Sequence, residues 1–158
     1  MKKAMVSIFS LAIVLSLSHP AAGQAGSSSL NDQLIKAAGN GDTAAVRQML
    51  EKGANIEAKD DKGYTALITA AYLGNTEVVK LLLAKGANID AMNDEGSTAL
   101  IKAVFSGFLS GSNEVVKLLL TKGANVEVRD KRGYTALDEA RQLPNDEAVT
   151  LLKEHGAH

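Results

Sequence analysis

The chain repeats itself with a period of 33 residues, and that period constrains its fold more than any other feature. "KGAN" begins at Lys52, Lys85 and Lys122 and recurs as "HGAH" at His155, so Gly53, Gly86, Gly123 and Gly156 are spaced 33, 37 and 33. "GYTAL" at Gly63, "GSTAL" at Gly96 and "GYTAL" at Gly133 repeat the spacing of 33 and 37. The excess lies inside the third unit: between Leu73 and Glu77 the second unit reads "GNT", whereas the third reads "GFLSGSN" before its own "EVVKLLL". A unit this short cannot enclose an apolar face by itself. Neighbouring units must supply the missing walls, which makes the fold a stack whose members touch only their neighbours.

Each unit carries two short amphipathic helices. Asp32, Thr65, Thr98 and Thr135 fall in phase ahead of the first helix, and Asp42, Asn75, Ser112 and Asn145 ahead of the second. All have side-chain oxygens able to accept from free helical N–H groups. Val46, Met49 and Leu50, then Val79, Leu82 and Leu83, then Val116, Leu119 and Leu120 recur at the spacing of one buried helix face. Each second helix runs into a "KGA" or "HGA" whose glycine closes it in the left-handed conformation. Between helix pairs, "NIEAKDDKG", "NIDAMNDEG" and "NVEVRDKRG" alternate apolar and polar residues before a Gly-terminated turn. These predict short β-hairpin fingers.

The units resemble ankyrin repeats. "DDKGYTALITAAYLGNTEVVKLLLAKGANID", Asp60 to Asp90, follows the family pattern of D-x-x-G-x-T-P-L-H, paired alanines, an E-V-V-K-L-L-L helix and G-A-D, and "NDEGSTAL" from Asn93 begins it again. The resemblance covers about residues 30–158 and implies an all-α ankyrin solenoid of helix-turn-helix repeats at about 30–62, 63–95, 96–132 and 133–158. The family proline is Ala66, Ala99 and Ala136, which a helix accepts readily. Its histidine is Ile68, Ile101 and Asp138, and losing its hydrogen bond to the threonine is expected to loosen the stack slightly. The first unit lacks the D-x-x-G-x-T lead. The last has Arg141 and Lys153 where the second has Ala71 and Leu83, so both ends read as caps and four units as the whole solenoid.

Residues 1–23 are of another kind. "MKK", an apolar run from Ala4 to Ser18 and the exit "HPAAG" have the design of a secretory signal peptide, with cleavage expected after Gly23. As a helix that run reaches only about 22 Å, short of the roughly 30 Å of a bilayer core. Residues 24–29, "QAGSSS", read as a flexible leader. The expected product is periplasmic or secreted, monomeric and not inserted in a membrane. The chain has no cysteine, so stability in an oxidising compartment must come from burial. Residues 1–23 contain Lys2 and Lys3 and no acidic residue, so their removal takes the formal charge from -1 to -3. That balance gives no basic field for nucleic acid.

Motifs for chemistry are missing. There is no G-x-S-x-G, H-E-x-x-H or phosphate-cradling G-x-x-x-x-G-K. In "DAMNDEG", counting back from Gly96 puts Ala91 at a calcium-ligand position that alanine cannot fill. His155 and His158 stand at a helix C-terminus, where a cation suits the dipole, and read as an end cap more readily than as a metal pair. Asp60 and Asp61, or Asp94 and Glu95, lie on turns where water holds a carboxylate near its ordinary pKa, poor ground for acid–base catalysis. No enzyme activity, cofactor or metal is expected.

What the resemblance implies is a scaffold for protein partners, an adaptor or modulator of an envelope or extracellular protein, or alternatively a secreted effector or inhibitor of a foreign or host protein. Contact is expected at finger tips and on the concave face of the first helices. The variable positions of the family pattern fall on Asp61, Lys62, Tyr64, Tyr72 and Leu73, on Asp94, Glu95, Ser97, Phe105 and Ser106, and on Lys131, Arg132, Tyr134, Gln142 and Leu143. After residue 23 the aromatic residues are Tyr64, Tyr72, Phe105, Tyr134 and Phe108, the first four at those positions and the last in the insertion with Leu109. An aliphatic core leaves these rings for recognition, where aromatics concentrate binding energy, or for bracing neighbouring fingers. Finger charges differ: Glu57 to Lys62 sums to -1, Asp90 to Glu95 to -3 and Glu127 to Arg132 to +1. Such an edge selects a partner's register more than it adds affinity. The insertion, Phe108 to Gly111, extends a helix by one turn, forms a tolerated loop, or offers Phe108 and Leu109 to a partner.

Overall fold

A computed structural model describes residues 28–107 and 112–158. The expected signal peptide and the insertion with Phe108 and Leu109 lie outside these residues. Among the described residues there are eight α-helices in four pairs: α1 (Leu30–Gly39) with α2 (Thr43–Glu51), α3 (Ala66–Tyr72) with α4 (Thr76–Ala84), α5 (Ala99–Phe105) with α6 (Ser112–Thr121), and α7 (Ala136–Gln142) with α8 (Asp146–Glu154). Odd-numbered helices form one row and even-numbered helices the other, each packing on the next of its row.

The helices start where their sequence supplies oxygen. Thr65, Thr98 and Thr135 each accept from the backbone N–H three residues on, and Asp42 and Asn145 do the same for α2 and α8. Three expected caps differ. Ser29, expected in the leader, caps α1, and Asp32 is the reciprocal member of its capping box. Asn75 makes no cap bond; its amide instead reaches back to the Ala38 and Gly39 carbonyls, both at 2.9 Å, and bolts the second unit to the first. Ser112 is the first residue of α6, and its hydroxyl donates to the Ser106 carbonyl at 2.8 Å.

Burial follows the period. Leu34, Leu67, Leu100 and Leu137 of the first helices and Leu82, Leu119 and Leu152 of the second are 0–1% exposed. Burying each such side chain contributes roughly 1.5–3 kcal/mol. Val78 and Val115 join the core, whereas Leu50 and Leu83, expected there, remain half-buried. At the former histidine positions Ile68 and Ile101 are buried, and Asp138 completes a capping box with Thr135. Those positions therefore fill the core or cap a helix.

The fingers are tight turns, with no strand among the described residues. Their hairpin character is confined to the tip, where Asp60 N–H donates to the Tyr64 carbonyl, Asn93 to Ser97 and Asp130 to Tyr134, at 3.0, 3.1 and 3.0 Å. One side chain holds each tip: Asp60, Asn93 and Asp130 each accept through Oδ1 from the backbone two and four residues on. Successive fingers join through Asp94 N–H to the Lys62 carbonyl (3.1 Å) and Lys131 N–H to the Glu95 carbonyl (2.8 Å). At their bases Asn31, Glu57 and Asp90 accept from the backbone of Asn55, Asn88 and Asn125 in the following finger or helix end. A hydrogen-bonded ladder thus runs along the finger edge, and it fixes the spacing of the finger-tip side chains.

Candidate functional site

Lys102 organises the face that fingers and first helices share. It projects from α5 toward the finger that precedes this helix, where its ammonium pairs with Glu95, and its side chain is 11% exposed. The same ammonium lies 5.5 Å from the Tyr64 ring centre and 5.6 Å from that of Phe105, within cation–π range. Phe105, one turn further along α5, stacks on Tyr72 of α3 with centroids 6.4 Å apart and planes at 25°. Burial pulls the Lys102 pKa down, but the hydrogen bond that its ammonium donates to Glu95 and the nearby Tyr64 side chain outweigh it, so the ammonium sits above the ordinary lysine value. The Lys102 hydrogen bond holds the Glu95 carboxyl below the usual range against a smaller opposing effect of burial.

The next finger and α7 repeat this arrangement with its charges exchanged. Arg132, in register with Glu95, pairs with Glu139, in register with Lys102, and forms two bonds to Asp130 Oδ2 at 2.9 and 2.7 Å. Its guanidinium covers the Tyr134 ring at 5.0 Å. The Asp130 and Glu139 side chains are 1% and 4% exposed, so both carboxylates depend on Arg132 for compensation. Burial would raise the Asp130 pKa, yet the Arg132 side chain and the N–H groups of Tyr134 and Arg132 together depress it. Asn93 stands at the corresponding place in the preceding finger, where an aspartate would face the like charge of Glu95 two residues on. The Asn93 Nδ2 is left buried without a partner.

Asp130→Asn keeps the Oδ1 acceptor and loses the Arg132 bonds. At neutral pH it is expected to cost about 1–2 kcal/mol. A depressed folded pKa means the wild-type advantage is complete above the ordinary aspartate value, about 3.9, and shrinks as pH falls through the folded one. Urea melts of both proteins from neutral pH into the acid range check this. A stability gap that did not narrow would rule out the ionised Asp130–Arg132 contact as its source.

Between the third and fourth units the two ion pairs enclose a cleft of about 430 Å³. Asp94 and Glu95 of one finger and Lys131 and Arg132 of the next line it, together with Ile101 and Phe105. Among the residues expected to meet a partner, Asp61, Lys62, Asp94, Glu95, Lys131 and Arg132 are exposed on the finger tips. Phe105 and Tyr134 are 40% and 37% exposed, while Tyr64 and Tyr72 are half-buried. Tyr64 packs on the core.

Ser97 requires correction. It occupies the register of Tyr64 and Tyr134 but is 1% exposed, its N–H bonded to Asn93 Oδ1 at 2.9 Å. A side chain that short does not emerge from beneath the finger. Ser106 is buried as well, its hydroxyl donating to the Ala103 carbonyl. Lys102 and Glu139 were not among the expected site residues. Their signal was an opposite charge seven residues before each, Glu95 and Arg132, in matching register in two units.

Comparison with known protein families identifies the repeat. The model described as "Ankyrin repeats (3 copies)" matches residues 34–130 and again 89–158. The chain belongs to the ankyrin repeat family. Ankyrin repeats are in general protein-binding modules and typically not enzymes. No curated protein compared with the chain matches it.

Proposed function

We propose that this ankyrin repeat protein is an exported scaffold, periplasmic or secreted, that modulates an envelope or extracellular protein by binding it along the finger tips and the concave face of the first helices. The observation that carries this reading is the stacked pair Tyr72 and Phe105 beside the ion-paired Lys102. The buried core is aliphatic and alanine-rich and does not include Phe105, whose ring is 40% exposed. Rigid aromatics flanked by fixed charges are what a protein interface uses as anchors. The basic start and apolar run of residues 1–23 support export.

A photo-crosslinking residue on an exposed finger, at Asp61, tests the reading when the protein is expressed in cells that are then fractionated. Capture of a protein in the envelope or medium fraction is expected, with Tyr72→Ala plus Phe105→Ala reducing it at least about tenfold. Equal capture by both proteins would refute the aromatic anchor. Retention of the full-length chain in the cytoplasm would refute export.

A further inference from the structure

We infer that the cleft between the third and fourth units is a subsite for an extended segment of the partner in which a basic, an apolar and an acidic residue alternate with spacers. The inference rests on the protein-binding reading above and narrows it to a ligand chemistry. Its basis is the division of charge within the cleft. Glu95 is neutralised by Lys102, and Arg132 by Asp130 and Glu139. Asp94 and Lys131 make no ion pair among the described residues and are exposed on the two successive fingers that wall the cleft. The cleft therefore presents one unneutralised negative wall and one unneutralised positive wall.

In the same cleft the 40% exposed ring of Phe105 offers an apolar floor, backed by the buried Ile101. In an extended chain, residues i, i+2 and i+4 point the same way. A basic side chain against Asp94, an apolar one over Phe105 and an acidic one against Lys131 then satisfy all three at once. The walls are held in place, since Lys131 N–H donates to the Glu95 carbonyl and Asp94 N–H to that of Lys62. Binding need not order them, which limits its entropic cost. A uniformly charged segment would meet one wall of its own sign.

The test is NMR titration of the ¹⁵N-labelled protein with capped peptides Gly-Lys-Ser-Phe-Ser-Glu-Gly, the same peptide with two lysines or two glutamates, and one with serine replacing phenylalanine. The mixed-charge peptide should shift the amides of Ile101, Phe105 and Lys131 saturably and bind about threefold more tightly than either like-charged peptide. Loss of the phenylalanine should weaken it about tenfold or more. Asp94→Lys should make the two-glutamate peptide the tightest ligand, and Lys131→Glu the two-lysine peptide. Both sites are exposed, and circular dichroism verifies that the variants fold.

Saturable binding without charge preference, or a ranking unchanged in the variants, overturns this inference and leaves the protein-binding reading standing on its own capture experiment. Absence of saturable shifts at the cleft also overturns it. So does a concentration-dependent dimer in sedimentation that Asp94→Lys abolishes, because the two walls would then belong to a second copy of the chain.

Discussion

Gly63→Ala is expected to lower the unfolding free energy by about 3 kcal/mol, whereas Gly133→Ala, at the same place two units on, costs only roughly 1 kcal/mol. Both glycines have positive φ, +76° and +84°, so both alanines incur the penalty for a left-handed conformation. They differ in what lies beyond. A Cβ on Gly63 would stand 2.5 Å from Asp94 Oδ1 and 2.6 Å from Asp94 N, while one on Gly133 would meet nothing within 4 Å. The Asp94 N–H is the donor that ties the third finger to the Lys62 carbonyl. Gly63→Ala must displace the next finger, and the negative wall of the cleft moves with it. Urea unfolding followed by circular dichroism compares the two variants. Equal losses would mean that contact between these fingers adds little and that only φ matters.

The repeat made most of this architecture legible, because period and phase are properties of a one-dimensional string. Thr65, Thr98 and Thr135 cap where their register placed them, and the glycines after the second helices take positive φ. Failures arose where a side chain serves a neighbouring unit. Asn75 looks like a cap by position, but the free carbonyls at the end of α1 lie within its reach and take its amide. Ser97 inherits an exposed register from two tyrosines without their length. Lys102 was obscure because buried lysines are rare unless paired. Its burial follows from Glu95 and the rings of Tyr64 and Phe105, which only the folded stack brings around it. The aromatic contact had a partial signal, since Tyr72 and Phe105 share a register in adjacent units; their stacking depends on the packing of α3 against α5.

The exchanged polarity of the two ion pairs gives the sharpest test of how that site is built. Lys102→Glu places a carboxylate in a position 11% exposed, directly against Glu95 and beside the electron-rich faces of two rings. The expected cost is about 3 kcal/mol, near the low end for a broken buried pair because Glu95 is 64% exposed and turns to water. Adding Glu95→Lys should recover more than half of that loss. The resulting polarity, cation on the finger and carboxylate on the first helix, is the one the next finger and α7 already use in Arg132 and Glu139. Recovery stops short of complete for two reasons. The new lysine faces Arg132 across the cleft, where Glu95 contributed an attraction. The rings of Tyr64 and Phe105 also lose their cation. Thermal or urea unfolding of the two single variants and the double variant gives the coupling directly. Additive losses would show that Glu95 and Lys102 act independently and that burial of the lysine stem, not the ion pair, holds this part of the face. Strong coupling without recovery of partner capture would instead separate the two roles of Lys102: the pair stabilises the stack, and the cation with its rings presents the binding face.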